Sequence, residues 1–224
     1  LSDCPHTYKL IENEEDAAIL RDTLLTFSTV AIDTETTSIE AMTAKLVGMS
    51  FAVEGDRAWY VAVPRETTSA QRMVEIFRPI FENEEILKVG QNLKYDLTVL
   101  ASYGIELHAP MFDTMLAHYV VQPELRHNMD YLAEIYLNYQ TIHIEELIGP
   151  KGRNQKNMGD LSPAAICDYA CEDAHVTLQL KKPLEEEMEK NGVRRVFDEI
   201  EMPLMPVLAR MERNGVCLDT ESLS

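Results

Sequence analysis

The chain predicts a layered α/β domain, a mixed sheet with helices packed against it. Three observations lead there. Through residues 70–137, short apolar runs of strand character alternate with stretches of helical periodicity. Before them come three strand-like runs in succession, which give the sheet an antiparallel part. With 46% hydrophobic and 26% charged residues, a chain of 224 residues can bury one full core.

The elements follow in order. Residues 8–10 form a first short strand. Residues 13–27 carry Ala17, Leu20, Leu24 and Leu25 at helical spacing, and Glu14, Glu15 and Asp16 sit at the positive end of that helix's dipole. Val30-Ala31-Ile32 opens the stretch 29–37 as a strand buried on both faces. Runs at 45–53 and 59–63 come next, and Glu54-Gly55-Asp56 between them reads as a hairpin turn. After Pro64 the pattern predicts a helix over 70–81, a strand over 86–89, a helix over 93–103, a strand over 109–112 and a helix over 114–121. Helical character continues over 129–137. Ser162 as N-cap and Pro163 at the first helical position start a long helix that ends at Asn191-Gly192. A second helical stretch, 193–213, is interrupted by Pro203 and Pro206. The piece from there to Ser224 is too short to be a domain, as though cut from a longer protein.

Composition narrows the function. No apolar run approaches the length of a membrane span and the N-terminus has no signal pattern, so the expected compartment is the cytoplasm, with no membrane partner. Cys4, Cys167, Cys171 and Cys217 lack paired metal-ligand spacing and read as reduced core or surface thiols. A net charge of −18 excludes grip on nucleic acid by bulk attraction. Any such role rests on a local site with metal ions or on a partner domain; otherwise the acidity simply aids solubility. Against that background the stretch Gly149 to Gly159 stands apart, with Lys151, Arg153 and Lys156 and no acid. It is either a phosphate contact or an ordinary solvated loop.

The chemistry starts at Asp33 and Glu35. On an extended chain residues i and i+2 share a face, so the two carboxylates project side by side. Like charges held that close repel unless a cation lies between them, and hard divalent ions bind through such oxygens. Alone, the pair reads more readily as a strand ending in a solvated acidic turn than as a metal site. Two more pairs sit at helical (i, i+4) spacing: Asn92 with Asp96, and Tyr169 with Asp173. Asp96 alone could be a solvated helix residue, and Tyr169 a core ring with a wet hydroxyl.

The order of these pairs, Asp-X-Glu, then Asn-X-X-X-Asp, then Tyr-X-X-X-Asp, resembles the three exonuclease motifs of the DEDD superfamily in its tyrosine branch. DTETTSIE, LVGMSFAV, LKVGQNLKYD, GIEL, FDTMLAHY, RHNMDYLAE, YACEDAHVTLQL and EMPLMPVLARMERNGV further resemble the proofreading region of bacterial family A DNA polymerase I. The resemblance implies a ribonuclease H-like (DnaQ-like) mixed sheet flanked by helices, with a short C-terminal helical extension. It divides the chain into an exonuclease domain, residues 1–192, and the start of the polymerase domain at the thumb base, residues 193–224. By similarity, Asp33, Glu35, Asp96 and Asp173 hold metal, and Tyr169 hydrogen-bonds the attacking water. Thr34, Ile39, Gln91, Asn92, Tyr95 and Arg126 match residues that contact the 3′-terminal nucleotides. Ile144 stands where some relatives carry an aromatic ring, and an aliphatic side chain stacks less well on a base.

Two divalent ions are the expected cofactors: Mg2+, with Mn2+ or Zn2+ as alternatives. A pair about 4 Å apart supplies a nucleophilic water and neutralises the leaving oxygen in phosphodiester hydrolysis. A tyrosine, with an ordinary pKa of about 10, is better cast as orienting that water than as its base. No Ser–His–Asp or Cys–His set competes, and the histidines, His175 included, read as structural or surface groups. The expected activity is 3′–5′ removal of nucleotides from single-stranded or frayed DNA, releasing nucleoside 5′-monophosphates. The expected partners are that DNA end and the rest of the same polymerase chain, in a monomeric, nucleoid-associated protein. DNA synthesis is not expected of this fragment. The alternatives are an RNA-trimming exonuclease of the same superfamily and an inactive exonuclease-like scaffold, which would have lost carboxylates; here all four are present.

Overall fold

Three antiparallel strands form the middle of the sheet in this computed structural model, which describes residues 6–219 and Ser222. Cys4 lies outside the described residues. Strand β1 is Thr7–Ile11, helix α1 Glu14–Leu24, and strands β2, β3 and β4 are Thr29–Thr36, Leu46–Val53 and Arg57–Ala62. The turn between β3 and β4 places Gly55 at φ 84° and Asp56 at φ 57°, the left-handed pair that a tight hairpin of matching twist requires. Then follow α2 (Thr67–Ile76), α3 (Arg78–Phe81), β5 (Leu87–Gly90), α4 (Leu93–Ala101), β6 (Met111–Asp113) and α5 (Thr114–Val121). The remainder is helical: α6 (Met129–Leu132) running into a π-turn (Ala133–Leu137), α7 (Ile144–Ile148), α8 (Pro163–Asn191), α9 (Arg194–Val196), a second π-turn (Phe197–Glu201) and α10 (Met202–Asn214).

The six strands lie in the order β1-β4-β3-β2-β5-β6. The β2–β3–β4 meander is antiparallel, whereas β1 joins β4, and β5 and β6 extend from β2, in parallel. Val30, Ala31 and Ile32 are buried, as expected of a strand covered on both faces. One cover is α8, which packs against β1 to β5. On the other face Phe51 stacks on Phe77 at 4.8 Å between centroids, with Phe81 beside it. Among the described residues no helix is long and apolar enough to cross a membrane.

Three local differences from the sequence reading have physical causes. The helix expected over 70–81 starts earlier, because the Glu66 carboxylate accepts from the amides of Thr68 and Ser69 at 2.8 and 2.7 Å. It breaks at Phe77 (φ −94°, ψ 1°), since Pro79 has no N–H for the Glu75 carbonyl. In contrast, α10 runs on through Pro206, because Pro203 falls in a first turn where no donor is needed and Pro206 removes only one bond. That helix buries Met202, Met205 and Ala209, and Phe197 just before it packs 5.0 Å from Phe112 of β6.

Candidate active site

The site begins at the end of β2. Asp33 pairs in register with Ser50 and Glu35 with Gly48, and the ladder slips by a bulge just after Glu35. Gly48 is glycine for a reason of space. A Cβ there would lie 2.1 Å from the Tyr60 ring, which occupies the room beside Glu35. Tyr60 thereby helps bury Glu35 to 7% exposure, with its Oε1 left without any hydrogen-bond partner. Helix α8 brings Asp173, 6% exposed, to the same place: oxygens of Asp33, Glu35 and Asp173 all lie within 4.8 Å of one another.

Asp96 arrives from the first turn of α4 and is 2% exposed. Thr34, one residue out of phase with the two strand acids, donates its hydroxyl to Asp96 at 2.6 Å. The four acids are electrostatically frustrated. Burial pushes the Asp33 carboxyl up to about 6. Burial, then the charges of Asp33 and Asp96, hold Glu35 well above its ordinary range. Burial and Asp33 do the same to Asp96, and burial, Asp33 and Glu35 to Asp173. Buried like charges of this kind call for cations, and the unpartnered Glu35 oxygen offers one a ligand. The donor set, carboxylate oxygens alone, fits hard divalent ions.

Tyr169 precedes Asp173 by one turn of α8. Burial, then the charges of Asp173, Glu35 and Asp33, hold its phenol far above the ordinary range, so it stays protonated and keeps an O–H to donate. Of the other candidates, Tyr95 donates its hydroxyl to the Ser38 carbonyl and bonds the Thr36 hydroxyl. That ties α4 to the loop bearing Ile39, which is 99% exposed. The Gln91 amide donates to the His127 carbonyl at 2.7 Å and accepts from Thr114. It thus fastens the end of β5 to the segment that carries the exposed Arg126. Asn92 is a left-handed residue (φ 65°) that starts α4, and Ile144 opens α7 partly exposed.

Two buried acids were not singled out from the sequence. Asp113 accepts four backbone amides, Asn92 and Leu93 at the start of α4 and Met115 and Leu116 at the start of α5. Its sequence signal was an Asp directly before a helix. Glu172 accepts from the Tyr139 hydroxyl and from the Ile142 amide at 2.6 Å, pinning that segment to α8. Nothing in the pattern of α8 distinguishes it. His175 bonds Tyr8, Asp56 and Gln179 as a structural group. Cys167 and Cys171 are buried thiols on α8, and among the described residues neither joins a cluster of metal ligands.

Comparison with known proteins agrees with this geometry. Residues 8–189 match the 3′–5′ exonuclease domain family of family A DNA polymerases. DNA polymerase I of Pseudomonas aeruginosa is 43% identical over 205 residues, covering 87% of this chain and 22% of that protein. The chain therefore spans about a fifth of that relative's length. Among solved structures, the POL domain of Pol1 from M. smegmatis, in complex with DNA primer-template and dNTP, superposes with TM-score 0.73 at 19% identity, over 94% of this chain and 33% of that one. Escherichia coli RNase D, an exoribonuclease involved in structured RNA processing, superposes with TM-score 0.70 at 20% identity, over 92% and 51%. The fold is thus that of the ribonuclease H-like exonucleases, and the chain belongs to the 3′–5′ exonuclease family of DNA polymerase I.

Proposed function

We infer that the chain is the proofreading part of a longer DNA polymerase I and hydrolyses the terminal phosphodiester of single-stranded or frayed DNA, releasing nucleoside 5′-monophosphates. The observation that carries this is the convergence of Asp33, Glu35 and Asp173 within 4.8 Å, with Asp96 held alongside by Thr34. Asp33, Glu35, Asp96 and Asp173 would hold two divalent ions, Mg2+ or else Mn2+ or Zn2+, which supply charge neutralisation at the phosphoryl group and a more acidic water. The protein's own residues do the rest. Tyr169, locked in its protonated form, donates to and orients the attacking water. Ile39 wedges against the terminal bases, while Thr34, Gln91, Asn92, Tyr95 and Arg126 seat the last nucleotides. A mismatched end costs less to unpair and so reaches this site more often, which is the energetic basis of proofreading.

Residues 1–192 form the exonuclease domain in this reading, and 193–224 lead into the polymerase thumb. The parent is a monomeric, nucleoid-associated cytoplasmic enzyme of replication and repair. An RNA substrate is the second reading, favoured by the likeness to RNase D; the 43% identity to a DNA polymerase I weighs against it. Rates on matched DNA and RNA oligonucleotides separate the two. The decisive test is Mg2+-dependent digestion of a single-stranded DNA oligonucleotide. The Asp33→Ala variant loses it; equal activity in that variant would overturn the site, and no activity in the parent chain would restore the inactive-scaffold reading.

A further inference from the structure

The acidic surface leaves open what this chain uses to hold the strand upstream of the end being cut. We propose that the loop 149–159 is a phosphate-binding loop, in which Lys151, Arg153 and Lys156 grip the sugar–phosphate backbone of the single strand leading into the active site. This rests on the exonuclease reading and adds a substrate contact that none of the three motifs contains.

Charge is the first argument. The loop holds three cations and no acid in a chain of net charge −18. All three side chains are exposed, and among the described residues none takes part in an ion pair. Some exposed cations are neutralised locally, as Arg72 is by Glu14 and Arg195 by Glu199. Others, such as Lys9, Lys45 and Arg126, are unpaired among the described residues but stand singly; the loop gathers three within six residues and no acid among them. A row of bases left unpaired amid surplus carboxylate is available to an anion from outside.

Placement is the second argument. The Asn157 amide donates to the Thr37 carbonyl at 2.6 Å, and the Arg65 guanidinium donates to the Gly159 carbonyl. Thr37 lies two residues after Glu35 and two before Ile39, so the loop is rooted between a site carboxylate and the exposed apolar side chain at the site's mouth. Lys156 directly precedes that anchor. Its amide donates to the Ile148 carbonyl at 2.9 Å, and the Gln155 amide donates to the Gly152 carbonyl at 3.1 Å. The Gln155 side chain closes the base on the Gly149 carbonyl at 3.1 Å. The loop is therefore folded on itself, with its bases directed outward, and even fully extended the six residues from Lys151 to Asn157 reach no more than about 20 Å. Bases of a bound strand would meet Ile39 while its phosphates pass the loop, the division of labour usual in single-strand grooves.

Counterion release gives the test a number. Each phosphate contact to a single strand contributes ~0.7 to the slope of log affinity against log salt, so three contacts give about 2. Binding of a fluorescein-labelled oligo-dT to the 224-residue chain is followed by anisotropy in EDTA across a potassium chloride series. The expected parent behaviour is weak binding with a slope of about −2. In the triple variant Lys151→Ala/Arg153→Ala/Lys156→Ala the slope falls towards zero and affinity at low salt drops at least ~10-fold. The charge-preserving set Lys151→Arg/Arg153→Lys/Lys156→Arg retains both. With Mg2+, the alanine variant raises KM on the oligonucleotide and leaves kcat unchanged. Parent-like affinity and slope in the alanine variant, or no measurable binding by the parent at the lowest salt, would overturn the proposal. Loss of binding in the alanine variant together with no digestion by the parent would instead overturn the exonuclease reading and leave a nucleic-acid grip without chemistry.

Discussion

Thr34 donates its hydroxyl to the Asp96 carboxylate at 2.6 Å, so the residue lying between the two strand acids holds the third acid in place. A hydrogen bond to a charged group is worth about 1.5–3 kcal/mol. The variant Thr34→Val is therefore expected to lose roughly 10- to 100-fold in kcat, to need more Mg2+ for half-maximal rate, and to melt roughly 3–12 °C lower. Thr34→Ser keeps the hydroxyl and most of the rate. An unaltered Mg2+ requirement in Thr34→Val would show that Asp96 needs no such support.

Tyr169 is expected to act through a donated hydrogen bond and not by losing its proton, because burial and three neighbouring acids hold its phenol far above the ordinary range. Tyr169→Phe should lower kcat by roughly 10- to 100-fold. The shape of the pH–rate profile between pH 7 and 10 should be the same in parent and variant. A limb near pH 10 present in the parent and missing from the variant would make the tyrosine a base after all.

Acidity and metal compete for the carboxylate cluster. The Asp33 pKa rises from an ordinary 3.8 to about 6 on folding. Between those values the folded metal-free protein holds a proton that the unfolded chain has released, so this contribution to stability is present at low pH and is lost as pH rises through about 6. Cations reverse the penalty only where the carboxyls are ionised. Mg2+ at a hundredfold excess over its dissociation constant stabilises by about 2.7 kcal/mol, or roughly 5–10 °C in Tm for a domain of this size. The increment should be close to full at pH 8 and small at pH 5. His118, which burial and His127 lower to about 4, works in the opposite sense, but equally with and without metal. The difference between melting curves therefore isolates the acids, and an increment as large at pH 5 as at pH 8 would contradict the assignment.

Gly48→Ala tests the packing behind Glu35. The new methyl would lie 2.1 Å from the Tyr60 ring, so the ring must move. Overpacking of this kind costs about 1–3 kcal/mol. We expect Tm to fall by roughly 2–12 °C and the exonuclease rate to fall with it, since Tyr60 flanks Glu35. A Gly48→Ala/Tyr60→Phe pair should recover only part of the loss, because it removes the hydroxyl 2.4 Å from the new methyl but leaves the ring carbon at 2.1 Å.

Much of this was legible in the chain. Val30-Ala31-Ile32 announced a doubly covered strand because a short apolar run rich in β-branched residues fits a strand buried on both faces, and all three are buried. The expected helix over 114–121 coincides with α5, whose first turn follows Asp113 as an N-cap. What periodicity could not carry was contact between distant segments. Thr34 and Gln91, expected to face the substrate, also spend their polar atoms on Asp96, Thr114 and the His127 carbonyl, and no spacing rule reports that. The Glu66 cap was missed because glutamate is not among the usual capping residues. The reach of Asp113 to a second helix was missed because a cap signal names only the helix that follows it.

That second reach has a mechanical consequence. Asp113 receives two amides from the start of α4 and two from the start of α5. The two helices therefore share one origin, like two spokes set in a single hub, and neither can swing without breaking bonds at the other's root. Asp96, fourth residue of α4, takes its bearing from a strand residue that belongs to neither helix. A tilt of α5 therefore pulls on the root of α4, three residues before Asp96.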